Sequence, residues 1–276
     1  MGILSGNRIP TRHGAQLNGI RKACQKARDV LIETAALVQV GITTAEVDRA
    51  AAAAIKAAGC KSAFLGYRGF PGTICISINE EVVHGIGGTR VIKDGDVVKI
   101  DIGVFFDGWV GDNALTVPVG KVAEETLKLL AATEESLLVA ASYARDGEML
   151  GTLCWSVEDH VTQYGFTVVR DFVGHGVGRK LHEEPQVPNY GKRGERPRLK
   201  AGMTLAIEPM INQGAAKTKI LADGWTVIAT DRKPSAHYEH VVLVTEGEPE
   251  ILTARGRMFP EGVKDLNPRA VSELLP

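Results

Sequence analysis

Apolar positions near the start of the chain recur at helical spacing. Ile20, Ala23, Ala27, Val30, Leu31, Ala35 and Val38 share one side of a 3.6-residue repeat, and Gly41 closes the pattern, which predicts a first helix. Thr43 followed by Glu46 has the form of a capping box and opens a second, alanine-rich helix that runs to Gly59. From Thr73 to Val119 the period changes. Short β-branched runs over 74–78, 97–106 and 114–119 are divided by Gly, Asn and Asp, and these predict strands. A long periodic segment over 124–144, then Gly147, another helical stretch and Gly165 repeat the opening order. Further strands are expected near 167–172, 204–211, 225–229 and 239–244.

The two runs of elements keep similar spacing. Gly41 and Gly59 are 18 residues apart, as are Gly147 and Gly165, while Gly59 precedes Asp101 by 42 and Gly165 precedes Glu208 by 43. Two similar halves that send acidic groups to one centre account for this, with coincidence between two ordinary helix-helix-strand segments as the alternative. Within the first half, Asp107-Gly108 is a type I′ turn signal, because both central positions need φ > 0. A hairpin closed there sets Gly103 opposite Asp112 and Asp101 opposite Ala114. The two aspartates become diagonal neighbours on one face, with backbones about 7–8 Å apart. Carboxylates aimed into one space repel unless something positive lies between them.

Composition narrows the class by exclusion. The 276 residues carry a net charge of −1, so no field over the whole molecule points to nucleic acid or membrane. Cys24, Cys60, Cys75 and Cys154 are widely spaced and read as reduced thiols of a cytoplasmic protein. No apolar run approaches the roughly 18 residues of a membrane span, and residues 1–14 lack the apolar core of a signal peptide. A single catalytic domain over 1–276 is expected, with an arm over 1–16 and a tail over 255–276 to which no role is assigned.

The chemistry concentrates in five residues. Asp101 lies in an almost wholly apolar strand, Glu208 lies in Thr204-Leu205-Ala206-Ile207-Glu208-Pro209-Met210, and Glu239 precedes the apolar run from Val241 to Val244. An unpaired charge there costs several kcal/mol. A salt bridge from Asp101 to Lys99 or a nearby arginine is the plain alternative. His175 sits among alternating glycines in Gly174-His175-Gly176-Val177-Gly178, which argue against a helix and allow close backbone approach to a ligand. The run fits neither phosphate-loop frame. One imidazole with the carboxylates of Asp101, Asp112, Glu208 and Glu239 suits Co, Mn, Fe or Zn, and four carboxylates nearly balance two divalent ions. His84 and His182 are left as structural or catalytic, while His13, His160, His237 and His240 are read as structural.

The words around His84, Asp101, Asp112, 174–185, 206–212 and 235–240 resemble type I methionine aminopeptidases, over nearly the whole chain from Leu17 to Thr253. The resemblance implies the α+β pita-bread fold, two pseudo-symmetric αββ halves forming a curved, mainly antiparallel sheet with helices outside. It implies that Asp112 and Glu239 bridge two metal ions, Asp101 chelates one, and His175 with Glu208 completes the other. It also makes His84 and His182 catalytic and places Tyr67, Phe70, Cys75 and Trp225 with them in the substrate pocket. Phe64, Phe70 and Leu181 depart from residues common in the family, which blurs selectivity and leaves the chemistry intact.

A water between two divalent ions loses a proton near neutral pH and becomes the nucleophile on the first peptide bond. Glu208 is the expected general base and later acid, and His182 and His84 are the expected hydrogen-bond donors to the reacting group. Partners are expected to be peptide and nascent-protein N-termini with a small second residue, the protein acting as a monomer. The basic stretch from Lys192 to Lys200 is most simply a solvated loop, with a transient ribosome contact as the sharper reading. The rivals are a proline-directed peptidase of the same fold and a binding module without metal.

Overall fold

The computed structural model describes residues 9–255. Residues 1–8 of the arm and 256–276 of the tail lie outside the described residues. Strands Val97–Phe106 and Trp109–Pro118 pair antiparallel through a two-residue turn at Asp107 (φ 49°) and Gly108 (φ 71°). The register follows from that turn: Phe106 opposes Trp109, Gly103 opposes Asp112 and Asp101 opposes Ala114. Strands Cys75–Ile78 and Lys61–Ser62 complete this sheet beside Val97–Phe106. Helix α1 (Ala15–Ala35) lies across the hairpin, so close that a Cβ on Gly111 would sit 2.2 Å from the Ala23 carbonyl oxygen. Helix α2 (Thr44–Ala57) opens with the expected capping box, Thr43 and Glu46 each accepting from the other's backbone N–H.

The second half repeats this order with α3 (Glu124–Ser142), α4 (Leu150–Thr162) and a sheet in the order Glu250–Ile251, His240–Leu243, Thr204–Ile207, Gly174–Gly176, Glu183–Val187. The likeness extends to single hydrogen bonds. Gly41 N–H donates to Ile92 O and Gly147 N–H to Leu199 O, while Thr44 N–H donates to Arg90 O and Leu150 N–H to Pro197 O. Each second helix also ends alike, Cys60 N–H reaching Ile55 O and Phe166 N–H reaching Val161 O across a glycine at positive φ. One apolar core joins the halves, with Ile76, Ile100 and Leu115 in the same cluster as Leu129, Leu205 and Val242. Each such fully buried side chain contributes about 1.5–3 kcal/mol relative to its exposed state.

Several expected boundaries move. Helix α1 ends at Ala35, well before Gly41, because the backbone after it turns to pair with 90–92. The strand expected over 204–211 is two, Thr204–Ile207 and Met210–Asn212, divided where Pro209 has no N–H to donate. The strand expected over 167–172 is only Thr167–Val168, that over 225–229 starts at Val227, and that over 239–244 spans His240–Leu243. Strands Glu81–Val83, Glu183–Val187, Thr218–Ile220 and Ser235–His237 had no clear sequence signal. The glycines beside His175 serve strand packing: a Cβ on Gly174 would meet Ala206 O at 2.3 Å, and one on Gly176 would meet Glu184 O at 2.1 Å. No helix among the described residues is long and apolar enough to cross a membrane.

Candidate metal centre

The hairpin register puts Asp101 and Asp112 on one face, and the second-half sheet brings its groups opposite them. His175 is central in Gly174–Gly176 and lies beside Ala206, which pairs in turn with Val241. Glu208 stands at the break before Pro209, and Glu239 stands between Ser235–His237 and His240–Leu243, anchored by its N–H to Ala114 O on the hairpin (2.9 Å). One ligand atom from each of Asp112, His175 and Glu239 lies within 4.8 Å of the others. His175 Nε2 is 3.5 Å from Glu208 Oε1 and 3.9 Å from Asp112 Oδ2. These separations are too long for good hydrogen bonds and leave room for an ion. Asp101 lines the same cavity, of about 320 Å³.

Protonation in this cluster follows from burial and like charge. Burial raises the pKa of all four carboxyls well above the ordinary range, and repulsion adds to it: Glu208 on Asp101, Asp101 on Asp112, Asp112 on Glu208, and Asp112 first on Glu239. Buried oxygens of Asp101, Asp112 and Glu239 have no hydrogen-bond partner. His175 Nδ1 lies 3.0 Å from Gly176 O, which can only accept, so Nδ1 carries the proton and the Nε2 lone pair faces the carboxylates. Burial, with His182 nearby, lowers its pKa to about 3 and keeps it neutral. Orphaned carboxylate oxygens and a neutral, oriented imidazole fit a divalent cation that accepts nitrogen and oxygen donors. Lys99 does not neutralise Asp101. Its ammonium donates instead to Asn79 O (2.6 Å) and Ser235 O (3.2 Å).

The remaining expected residues converge on the same cavity. Tyr67, Phe70, Cys75, His84, His182 and Trp225 all line it. Phe70 meets Trp225 edge to face at 5.2 Å, and Cys75 opposes Asp101 across the sheet. His182 stands at the mouth, its Nδ1 hydrogen-bonded to the Tyr67 hydroxyl (2.8 Å) and its ring centroid 4.2 Å from that of His175. Desolvation, with repulsion from Arg68, lowers its pKa. His84 occupies a left-handed backbone position (φ 59°), uncommon outside glycine, and burial brings it to a pKa of about 4. Phe64 fits because its partner is Gly103, where a Cβ would lie 2.5 Å from the Phe64 ring.

Two groups go beyond the sequence reading. His237, read as structural, lines the cavity with a buried, unpartnered Nε2 that is 3.7 Å from Glu208 Oε2. Its signal was there: residues 237 and 239 are two apart, and alternate residues of an extended chain share a face. Arg255, placed in a tail without a role, donates to Ala114 O (2.8 Å) and Glu239 O (3.3 Å) and so braces the backbone behind Asp112 and Glu239. No local pattern marked it.

Residues 18–246 match Metallopeptidase family M24. Methionine aminopeptidase 1 of Bacillus subtilis is 50% identical over 216 residues, 78% of this chain and 87% of that protein. A methionine aminopeptidase of Clostridium perfringens is 48% identical over 233 residues, 83% and 94% of the two chains. The crystal structure of methionine aminopeptidase from Thermotoga maritima superposes with a TM-score of 0.88 at 39% identity, covering 90% of this chain and all of that one.

Proposed function

The chain belongs to metallopeptidase family M24, with the methionine aminopeptidases, and removes N-terminal methionine from peptides and proteins; from this premise we propose which of its residues do so and how. Asp101, Asp112, His175, Glu208 and Glu239 would together hold two divalent ions. The observation that carries this reading is the convergence of Asp112, His175 and Glu239 within 4.8 Å among buried carboxylate oxygens that have no other partner. Two divalent charges nearly cancel four carboxylates, and Co, Mn, Fe or Zn suits the mixed donors. When bound, such a pair makes a water acidic near neutral pH and polarises the scissile carbonyl.

The protein groups do the rest. Glu208 takes the proton from the attacking water and passes it to the leaving amine. The Tyr67 hydroxyl lies 2.8 Å from His182 Nδ1, and in the tautomer where it donates there, His182 carries its proton on Nε2 and donates it to the peptide carbonyl oxygen as charge develops. His84, held neutral, hydrogen-bonds the peptide nitrogen side. His237 faces Glu208 and steadies the carboxyl that carries the proton. The methionine side chain lies among Tyr67, Phe70, Cys75 and Trp225, where a thioether meets aromatic edges and a thiol.

One catalytic unit over 1–276, acting as a monomer in the cytoplasm on nascent chains with a small second residue, completes the proposal. Titrating metal-free protein with Mn or Co while measuring methionine released from Met-Ala-Ser tests it, with activity expected to track binding of two equivalents. Tight binding without methionine release, or faster turnover of Xaa-Pro dipeptides, overturns it. A weak ribosome contact through the basic loop is retained for Lys192 and Arg196. Arg198 is engaged by the Gly147 carbonyl and Arg193 stacks over Trp155. Reversing the charge of Lys192 and Arg196 is expected to reduce ribosome co-sedimentation at low salt, and unchanged sedimentation removes the idea.

A further inference from the structure

Outside the metal cavity lies a second, larger cleft of about 620 Å³. The two adjoin: Arg68, Val173, His175 and His182 line both. The outer cleft is rich in cations, with Arg68, Arg179 and Lys180 against Glu183 and Glu184. Glu183 is already used. It pairs with the buried Arg12 and accepts the backbone N–H groups of Arg179 (2.8 Å) and Lys180 (3.1 Å). Among the described residues none of the three cations is in a salt bridge. Arg179 stacks on Trp109 at 3.7 Å and Arg68 lies over the Tyr67 ring at 5.4 Å. Glu184 alone is left to oppose them.

Arg68 is placed with some effort. Its backbone is left-handed (φ 50°, ψ 22°) between Gly66 and Gly69, also at positive φ, a conformation costing a non-glycine residue roughly 1–2 kcal/mol. That turn sets its guanidinium on the boundary of the two cavities, beside the ring whose hydroxyl bonds His182. A peptide with its first residue in the inner cavity must leave past His182, at about 3.3 Å per extended residue. The outer cleft is the space on that side.

We propose that the outer cleft binds the peptide beyond the scissile bond and selects acidic side chains from the third residue onward, through Arg68 and Lys180, with Arg179 held against the Trp109 ring and the Gly108 carbonyl. The inference rests on the peptidase reading and adds a charge preference that the metal site does not supply. It uses exposed charges, so the preference is graded and falls with salt.

The test compares Met-Ala-Glu-Glu-Leu, Met-Ala-Gln-Gln-Leu and Met-Ala-Lys-Lys-Leu as substrates. At low salt kcat/KM is expected to favour the Glu over the Lys peptide by about tenfold, roughly threefold for each charged position, with Gln between. The ratio should shrink in 0.5 M salt, a concentration at which screening acts over about 4 Å. In the double variant Arg68→Gln, Lys180→Gln it should fall to about one. A binding arm does not need turnover: calorimetry of metal-free protein with the product Ala-Glu-Glu-Leu against Ala-Lys-Lys-Leu should show the same order, lost in the variant. Cleavage of all three peptides at similar rates, or a ratio untouched by the variant, overturns the inference and leaves the peptidase reading standing. Failure to cleave even the Gln peptide defeats that reading, while the binding arm still decides the inference.

Discussion

Replacing Asp112 with asparagine should move the stability of the metal-free and the metal-loaded protein in opposite directions. Asp112 is 3% exposed, its Oδ1 has no hydrogen-bond partner, and Asp101 raises its pKa further after burial has done so. Without metal the carboxyl either keeps a charge against desolvation and repulsion or takes up a proton. The amide does neither and has the same shape, a gain of about 1–3 kcal/mol. At about 2–4 °C per kcal/mol for a domain of this size, the metal-free melting midpoint rises by about 2–12 °C. Metal works the other way. At a thousand times its Kd it stabilises the unmodified protein by about 4 kcal/mol, or about 8–16 °C, and loss of the Asp112 carboxylate from the proposed site should remove most of that. Scanning calorimetry with chelator and then with Mn reads both effects on the same samples. A variant that melts lower without metal, or that keeps the full metal-induced shift, refutes the assignment of Asp112 to a cation site built from mutually repelling carboxylates.

Three other outcomes follow from single residues. His182→Ala should lower kcat about 100- to 1000-fold, the loss of one donor to developing charge, with a smaller change in KM; a raised KM with kcat unchanged would make His182 a binding residue only. Lys99 is 2% exposed, and burial lowers its pKa from 10.5 to about 7 with Glu81 and Glu80 opposing, so the unfolded chain binds this proton more tightly. Stability should therefore rise with pH between about 7 and 10.5, by up to about 1.4 kcal/mol per unit, and denaturant titrations should show this rise disappear in Lys99→Met. Arg255→Leu removes the side-chain donor to Glu239 O and leaves Ala114 O with the Glu239 N–H alone, and metal affinity measured by competition with a coloured chelator should drop about 10- to 100-fold. Unchanged affinity would show that the bracing is irrelevant to the site.

The centre was legible in the sequence wherever local chemistry fixes geometry. Asp107-Gly108 can close only a tight hairpin, and a fixed turn with a period of two dictates that Asp101 and Asp112 share a face. Thr43 and Glu46 specify their own capping box, and the glycine spacing marks both helix pairs, down to matching hydrogen bonds from Gly41 and Gly147. Acids in apolar strands pointed to a buried site, although Lys99, in the same strand as Asp101, left a local salt bridge open as the alternative.

Other features depend on partners distant in the chain. Helix α1 stops at Ala35 because the backbone beyond it pairs with residues 90–92, a competition that apolar spacing does not record. The glycines flanking His175 admit neighbouring strands, Phe64 rests on Gly103, and Lys99 turns from Asp101 to carbonyls of Asn79 and Ser235. Tertiary structure alone put His237 against Glu208, Arg255 behind Glu239, and three cations around one cleft beside His182. The sequence by itself determined the turn that aligns Asp101 with Asp112 and the doubled architecture, and it singled out the candidate ligands, since these follow from dihedral preference, side-chain period and acids set in apolar strands. The pairing of the two halves, and with it the field and the exits of the cavity, came only with the packed fold, because charge and steric contact act through space and carry no trace in the order of residues.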